Sequence, residues 1–128
     1  MAYCSQEEKA RIALLVKPIL KKYGMKGTLS VLHHSKLVLT LASGKLDIIG
    51  NARSLDGDIP ESTTYINVNH YWFGRDFNGE VVSFLREVID ALNDGNWDAS
   101  DPQTDYFSVG KYIAVDVGRW DKPYIVTK

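Results

Sequence analysis

Three histidines and a spaced run of aspartates are the residues of this chain best suited to acid–base or metal chemistry: His33, His34 and His70, with Asp98, Asp101 and Asp105 further along. Imidazole and carboxylate ligands together suit zinc or iron. The same groups, brought within hydrogen-bond reach of one substrate, can give and take protons. His33 and His34 are neighbours, and in a strand neighbouring side chains point to opposite faces, so one metal cannot hold both without a bulge. Either can still meet His70 and an aspartate in space. His33, His34, His70, Asp101 and Asp105 are therefore the candidate set for a small enzyme or nucleic-acid-processing accessory. Asp98, Asp101 and Asp105 are separated by three and four residues, unlike the alternate-position ligands of a calcium loop; turn and capping roles suit them better. Cys4 lacks any surrounding signature of a nucleophile. The phosphate-binding G-x-x-x-x-G-K-[ST] loop, G-x-G-x-x-G, C-x-x-C and H-E-x-x-H are all absent from the sequence, and no cofactor or metal is expected.

Charge supplies a second kind of chemistry. The net charge is −1, but its distribution is uneven. Residues 1–44 hold Lys9, Arg11, Lys17, Lys21, Lys22, Lys26 and Lys36 against Glu7 and Glu8. Residues 76–105 hold Asp76, Glu80, Glu87, Asp90, Asp94, Asp98, Asp101 and Asp105 against Arg86 alone. Glu87, Asp90 and Asp94 stand at i, i+3 and i+7, so a helix projects them together as an acidic ridge away from its apolar stripe. Lys9, Lys17 and Lys21 share one side of an earlier helix, yet a pI near 6.3 is not that of a dedicated nucleic-acid-binding domain, and direct nucleic-acid binding is not expected.

The elements that must position these groups follow from period and punctuation. At 128 residues with 45% hydrophobic and 24% charged side chains, the chain reads as a single globular domain, 1–128. Ser5-Gln-Glu-Glu8 has capping-box spacing, and Ile12, Leu15, Val16, Ile19, Leu20 and Tyr23 follow at helical period up to Gly24. Pro18 predicts a kink or break in that helix. From Thr28 the period changes to two, predicting an antiparallel hairpin of strands 28–33 and 36–41 around His34-Ser35. Leu46 to Ile49 reads as a possible third strand, residues 50–62 as a surface loop, and 63–72 as a half-buried strand. Asn78 is placed to cap a second helix carrying Val81, Phe84, Leu85, Val88 and Leu92. Residues 96–110 form an irregular stretch expected to be ordered by burial of Trp97, Tyr106 and Phe107, and 111–118 forms a last strand. The fold class is α+β: a mainly antiparallel sheet of about four strands with two helices on one face. No apolar run approaches the ~20 residues of a membrane span, so no membrane contact is expected. The lone Cys4 and the start of the chain, which lacks a basic then apolar leader, favour a reducing cytoplasm.

Three segments carry a family likeness: Lys-Lys-Tyr-Gly-Met-Lys-Gly-Thr-Leu-Ser-Val-Leu-His-His-Ser at 21–35, Tyr-Ile-Asn-Val-Asn-His-Tyr-Trp at 65–72, and Gly-Asn-Trp-Asp-Ala-Ser-Asp-Pro-Gln-Thr-Asp-Tyr-Phe-Ser-Val-Gly-Lys-Tyr at 95–112. With the closing Gly-Arg-Trp-Asp-Lys-Pro-Tyr at 118–124, they resemble a small domain associated with the large polyvalent proteins of bacteriophages and conjugative elements. The resemblance covers about 21–124 and implies no catalytic residues. It implies a mobile-element context inside a host cell. There the expected function is a non-catalytic inhibitor of a host defence component, anti-CRISPR-like or anti-restriction. Its partner would be a defence protein or ribonucleoprotein complex, contacted through Glu87, Asp90, Asp94, Trp97, Asp98, Asp101 and Asp105, where acidic charge can oppose a basic nucleic-acid-binding surface.

Overall fold

The computed structural model describes residues 4–60, 62–68, 73–94, 112–119 and 121–127. The first helix, α1 (Gln6–Tyr23), begins where the capping chemistry predicts, with the Ser5 side chain accepting from the Glu8 amide at 3.0 Å. It ends at Gly24, whose φ of 67° lets its amide reach back to the Leu20 and Lys21 carbonyls. No break occurs at Pro18: the helix runs through it. Pro18 and Leu14 both lie on the exposed face, so water can satisfy the Leu14 carbonyl that proline leaves without a donor.

β1 (Met25–Leu32) and β2 (Lys36–Gly44) form the predicted antiparallel hairpin, longer at both outer ends than its period-two core and with a register shift between Lys26 and Gly27. The remaining order is α2 (Ile48–Leu55), β3 (Ile66–Val68), α3 (Phe73–Asp76), α4 (Gly79–Leu92), β4 (Tyr112–Val117) and β5 (Ile125–Val126). The third strand expected at 46–49 is instead the start of α2, because the Asp47 carboxylate caps the Gly50 amide at 2.9 Å and Ile48, Ile49 and Ala52 make one buried stripe. Of the strand expected at 63–72, residues 66–68 are strand and 69–72 lie outside the described residues. Helix α4 appears as expected. The Asn78 side chain makes no capping bond, however, because it is paired with Asn51 of α2: Asn51 Nδ2 donates to Asn78 Oδ1 at 2.6 Å and the Asn78 amide to Asn51 Oδ1 at 2.9 Å.

The sheet is mixed, in the order β1-β2-β4-β3 with β5 beside the end of β2. β1–β2 and β3–β4 are antiparallel, but β2 pairs with both β4 and β5 in parallel. This corrects the expectation of a mainly antiparallel sheet. The chain between β2 and β4 is long and carries three helices, which is the kind of crossover that parallel neighbours need. It also corrects the helix count, from two to four among the described residues. Leu37, Leu39 and Leu41 of β2 are in register with Ile113, Val115 and Val117 of β4, and these six residues are buried in one core cluster with the apolar stripes of α1, α2 and α4. The helices therefore cover one face. Val38, of opposite parity, is buried but stands outside that cluster.

Candidate functional site

An ionic seam between α1 and α4 takes up much of the acidic ridge. Glu87 accepts from Lys22 Nζ at 2.9 Å and from the Tyr23 hydroxyl. The Lys22 ammonium lies 5.3 Å from the Tyr23 ring centroid, and that ring meets Phe84 edge-on at 5.2 Å. Farther along, Arg11 donates to Asp94 Oδ2 at 2.5 Å, to the Asp94 carbonyl at 2.7 Å and to Glu8 Oε1 at 2.7 Å. Glu87 lies within α4 and Asp94 just past its C-cap Asn93, while their partners Lys22 and Arg11 run in the reverse direction along α1. The two helices are thus clasped antiparallel at two points. Hydrogen bonds from Tyr23 and then Lys22 hold the Glu87 carboxyl below its usual range, and the bond to Glu87 raises the Tyr23 phenol. Glu8, expected to close the capping box with its carboxylate, binds Arg11 instead.

The ridge is consequently not a single solvated face. Glu87 is half-buried in the seam, whereas Asp90 and Glu80 are exposed and make no ion pair among the described residues. Trp97, Asp98, Asp101 and Asp105 lie outside the described residues, as do His70 and the whole stretch 96–110 that was expected to be ordered.

Of the acid–base set, His33 and His34 alone are placed. Neither is in a strand: they are the central residues of the turn closed by the Ser35 amide on the Leu32 carbonyl at 3.1 Å, with φ of 53° and 59°. Positive φ at both central positions is what a type I′ hairpin turn requires. The opposite-face argument against a shared metal therefore does not apply to them. Among the described residues, no three His, Cys, Asp or Glu side chains come together as a metal site. The carbonyls of this turn are anchors. His34 O accepts from the Cys4 amide at 2.6 Å and Ser35 O from the Tyr112 amide at 2.9 Å, so the tip ties the entry to α1 and the start of β4 to the hairpin. Cys4 itself is buried, which removes it from consideration as an accessible nucleophile.

Sequence reasoning missed the face of the sheet turned away from the helices. In register across it lie Leu32, Lys36 and Tyr112, then Ser30, Val38 and Ala114, then Thr28, Thr40, Asp116 and Asn67. Leu32 is 47% and Tyr112 51% exposed, and Lys36 is exposed between them. Asp116 is partly buried, and desolvation raises its carboxyl above the usual range against the opposing pull of Lys36 and Arg119. The alternation in 28–41 and 111–118 held the signal for each strand separately. The register that joins Lys36 to Tyr112 spans most of the chain and has no local trace.

Family models, curated proteins and solved structures offer no match to this chain. No helix among the described residues is long and apolar enough to cross a membrane.

Proposed function

We propose that this chain is a non-catalytic protein of a phage or conjugative element that binds a host defence protein or ribonucleoprotein in the cytoplasm and blocks it. The resemblance over 21–124 supplies the mobile-element context. The observation that carries the reading is the clasped α4. Glu87 and Asp94 hold the helix against α1, while Glu80 and Asp90 stay exposed on it. Carboxylates fixed on a rigid helix can oppose a basic nucleic-acid-binding surface with little ordering cost on association.

The seam also decides which variants test the contact, since charge reversal at Glu87 or Asp94 would unclasp the helices and confound binding with folding. The informative change is Glu80→Lys with Asp90→Lys. Expression of the wild-type chain in a host carrying one defined restriction or CRISPR system is expected to raise the plating efficiency of a susceptible phage, and the double variant to lose that protection at equal soluble yield. Absence of protection in every system tried would overturn the function. Protection unchanged in the double variant would overturn the α4 contact.

A further inference from the structure

We propose that the tip of the β1–β2 hairpin, with the exposed first row of the sheet face turned away from the helices, binds single-stranded nucleic acid: Tyr112, His33 and His34 offer ring faces to unstacked bases, and Lys36 contacts the phosphate backbone. This goes beyond the protein-binding reading and uses none of its residues.

The register puts Leu32, Lys36 and Tyr112 side by side on three adjacent strands, all exposed, and the exposed His33-His34 turn closes the same end of the sheet. Three rings, an aliphatic side chain and an ammonium therefore share one solvent-facing edge. Among the described residues no acidic side chain stands in that row, and Asp116 is two rows away. The backbone of the turn makes the imidazoles harder to dismiss as filler. Two consecutive side chains with a Cβ are held at φ of 53° and 59°, a conformation that Asn-Gly adopts more readily and that most L-residues disfavour. Strain of that kind persists where the side chains serve a purpose beyond the turn.

The mix of groups decides between anionic partners. Lys36 is the one lysine or arginine among the described residues of the row. A carboxylate-rich protein segment would gain little from one ammonium. Splayed bases need planar faces in number and only occasional cations, and stacking on Tyr and His is how single strands are held on open sheets.

Fluorescence anisotropy of the full chain with labelled oligo(dT) of about 15 nucleotides tests this. At about 50 mM salt a saturable rise is expected, with a shallow salt slope of about −1 to −2 because few phosphates are neutralised. Tyr112→Ala is expected to weaken binding about tenfold and Tyr112→Phe to retain it. His33→Asn with His34→Gly suits the turn better and so keeps the fold, which makes its expected loss of affinity a binding effect. No saturable binding of oligo(dT), unchanged affinity in the alanine and turn variants, or binding of polyglutamate in place of oligo(dT) would each overturn the proposal. The plating assay above reads the α4 contact separately, so either reading can fail without the other.

Discussion

Glu87 shows how one carboxylate can look like surface and act as a joint. Its two hydrogen bonds stabilise the ionised form, so its folded-state pKa lies below the unfolded value. Such a group adds stability that is present above the ordinary carboxylate range and is lost as pH falls through the lowered folded value. Glu87→Gln is accordingly expected to lower the urea midpoint at pH 7. The gap from wild type should close on acidification, and a gap that stayed constant with pH would show the seam to be held by shape rather than charge. Asp116 has the opposite sign. Desolvation raises its folded-state pKa, so as pH climbs the unfolded chain ionises first and stability falls between the ordinary value and the raised one. Asp116→Asn should therefore be more stable than wild type at pH 7 and equal to it below the ordinary carboxylate range, read from paired thermal melts.

At the scale of elements, two segments keep backbone choices that isolated propensity disfavours. Pro18 removes one hydrogen bond from α1 without ending it, because the interruption lies on the exposed side while Ile12, Val16 and Leu20 stay buried. Burial outweighs the local loss. Pro18→Ala is expected to stabilise the fold by up to ~3 kcal/mol in chemical denaturation; a neutral result would mean that the helix has already relaxed around the proline. The His33-His34 turn is the second such segment. Its replacement by Asn-Gly should raise stability by about 1 kcal/mol, the measurable counterpart of the affinity it is expected to lose. Helix α2 illustrates the reverse problem: Leu46-Asp-Ile-Ile49 reads as strand by composition, and what makes it helical is one capping carboxylate and the buried position of Ala52.

For the molecule as a whole, closure depends on a small meeting point behind β4. The Gly118 amide donates to the Leu41 carbonyl at 2.8 Å, and the Tyr124 amide to the Thr64 carbonyl at 2.9 Å. A Cβ on Gly118, which has φ of 74°, would lie 2.7 Å from Tyr124 N and 2.8 Å from Thr64 O. Gly118→Ala should cost at least ~1 kcal/mol from the backbone alone and more from displaced chain, with loss of the β5 pairing visible as faster amide exchange at 125–127. Nearby, the buried Tyr124 hydroxyl donates to the Leu46 carbonyl at 2.6 Å, and burial raises its phenol far above the ordinary range. These contacts bring β5 alongside β2 after a separation of about eighty residues.

What was legible in the residues was local. The Ser5 cap, the stripes of α1 and α4, the Gly24 stop and the 28–41 alternation are each set by neighbours within a turn or a strand, where periodicity and hydrogen-bond chemistry leave few options. Charge asymmetry was equally plain, a basic amino-terminal third and an acidic 76–105. Its meaning was not: the structure spends part of each charge on the other, Arg11 on Asp94 and Lys22 on Glu87. Strand direction, the pairing of β2 with β4, the placing of both histidines in the turn and the row that joins Leu32, Lys36 and Tyr112 were decided only by tertiary structure. All but the turn depend on which distant segment arrives beside β2, and the turn follows from the register of β1 on β2. Many pairings satisfy the same alternation of apolar and polar side chains, and the packing of α1, α2 and α4 over one shared face selects among them.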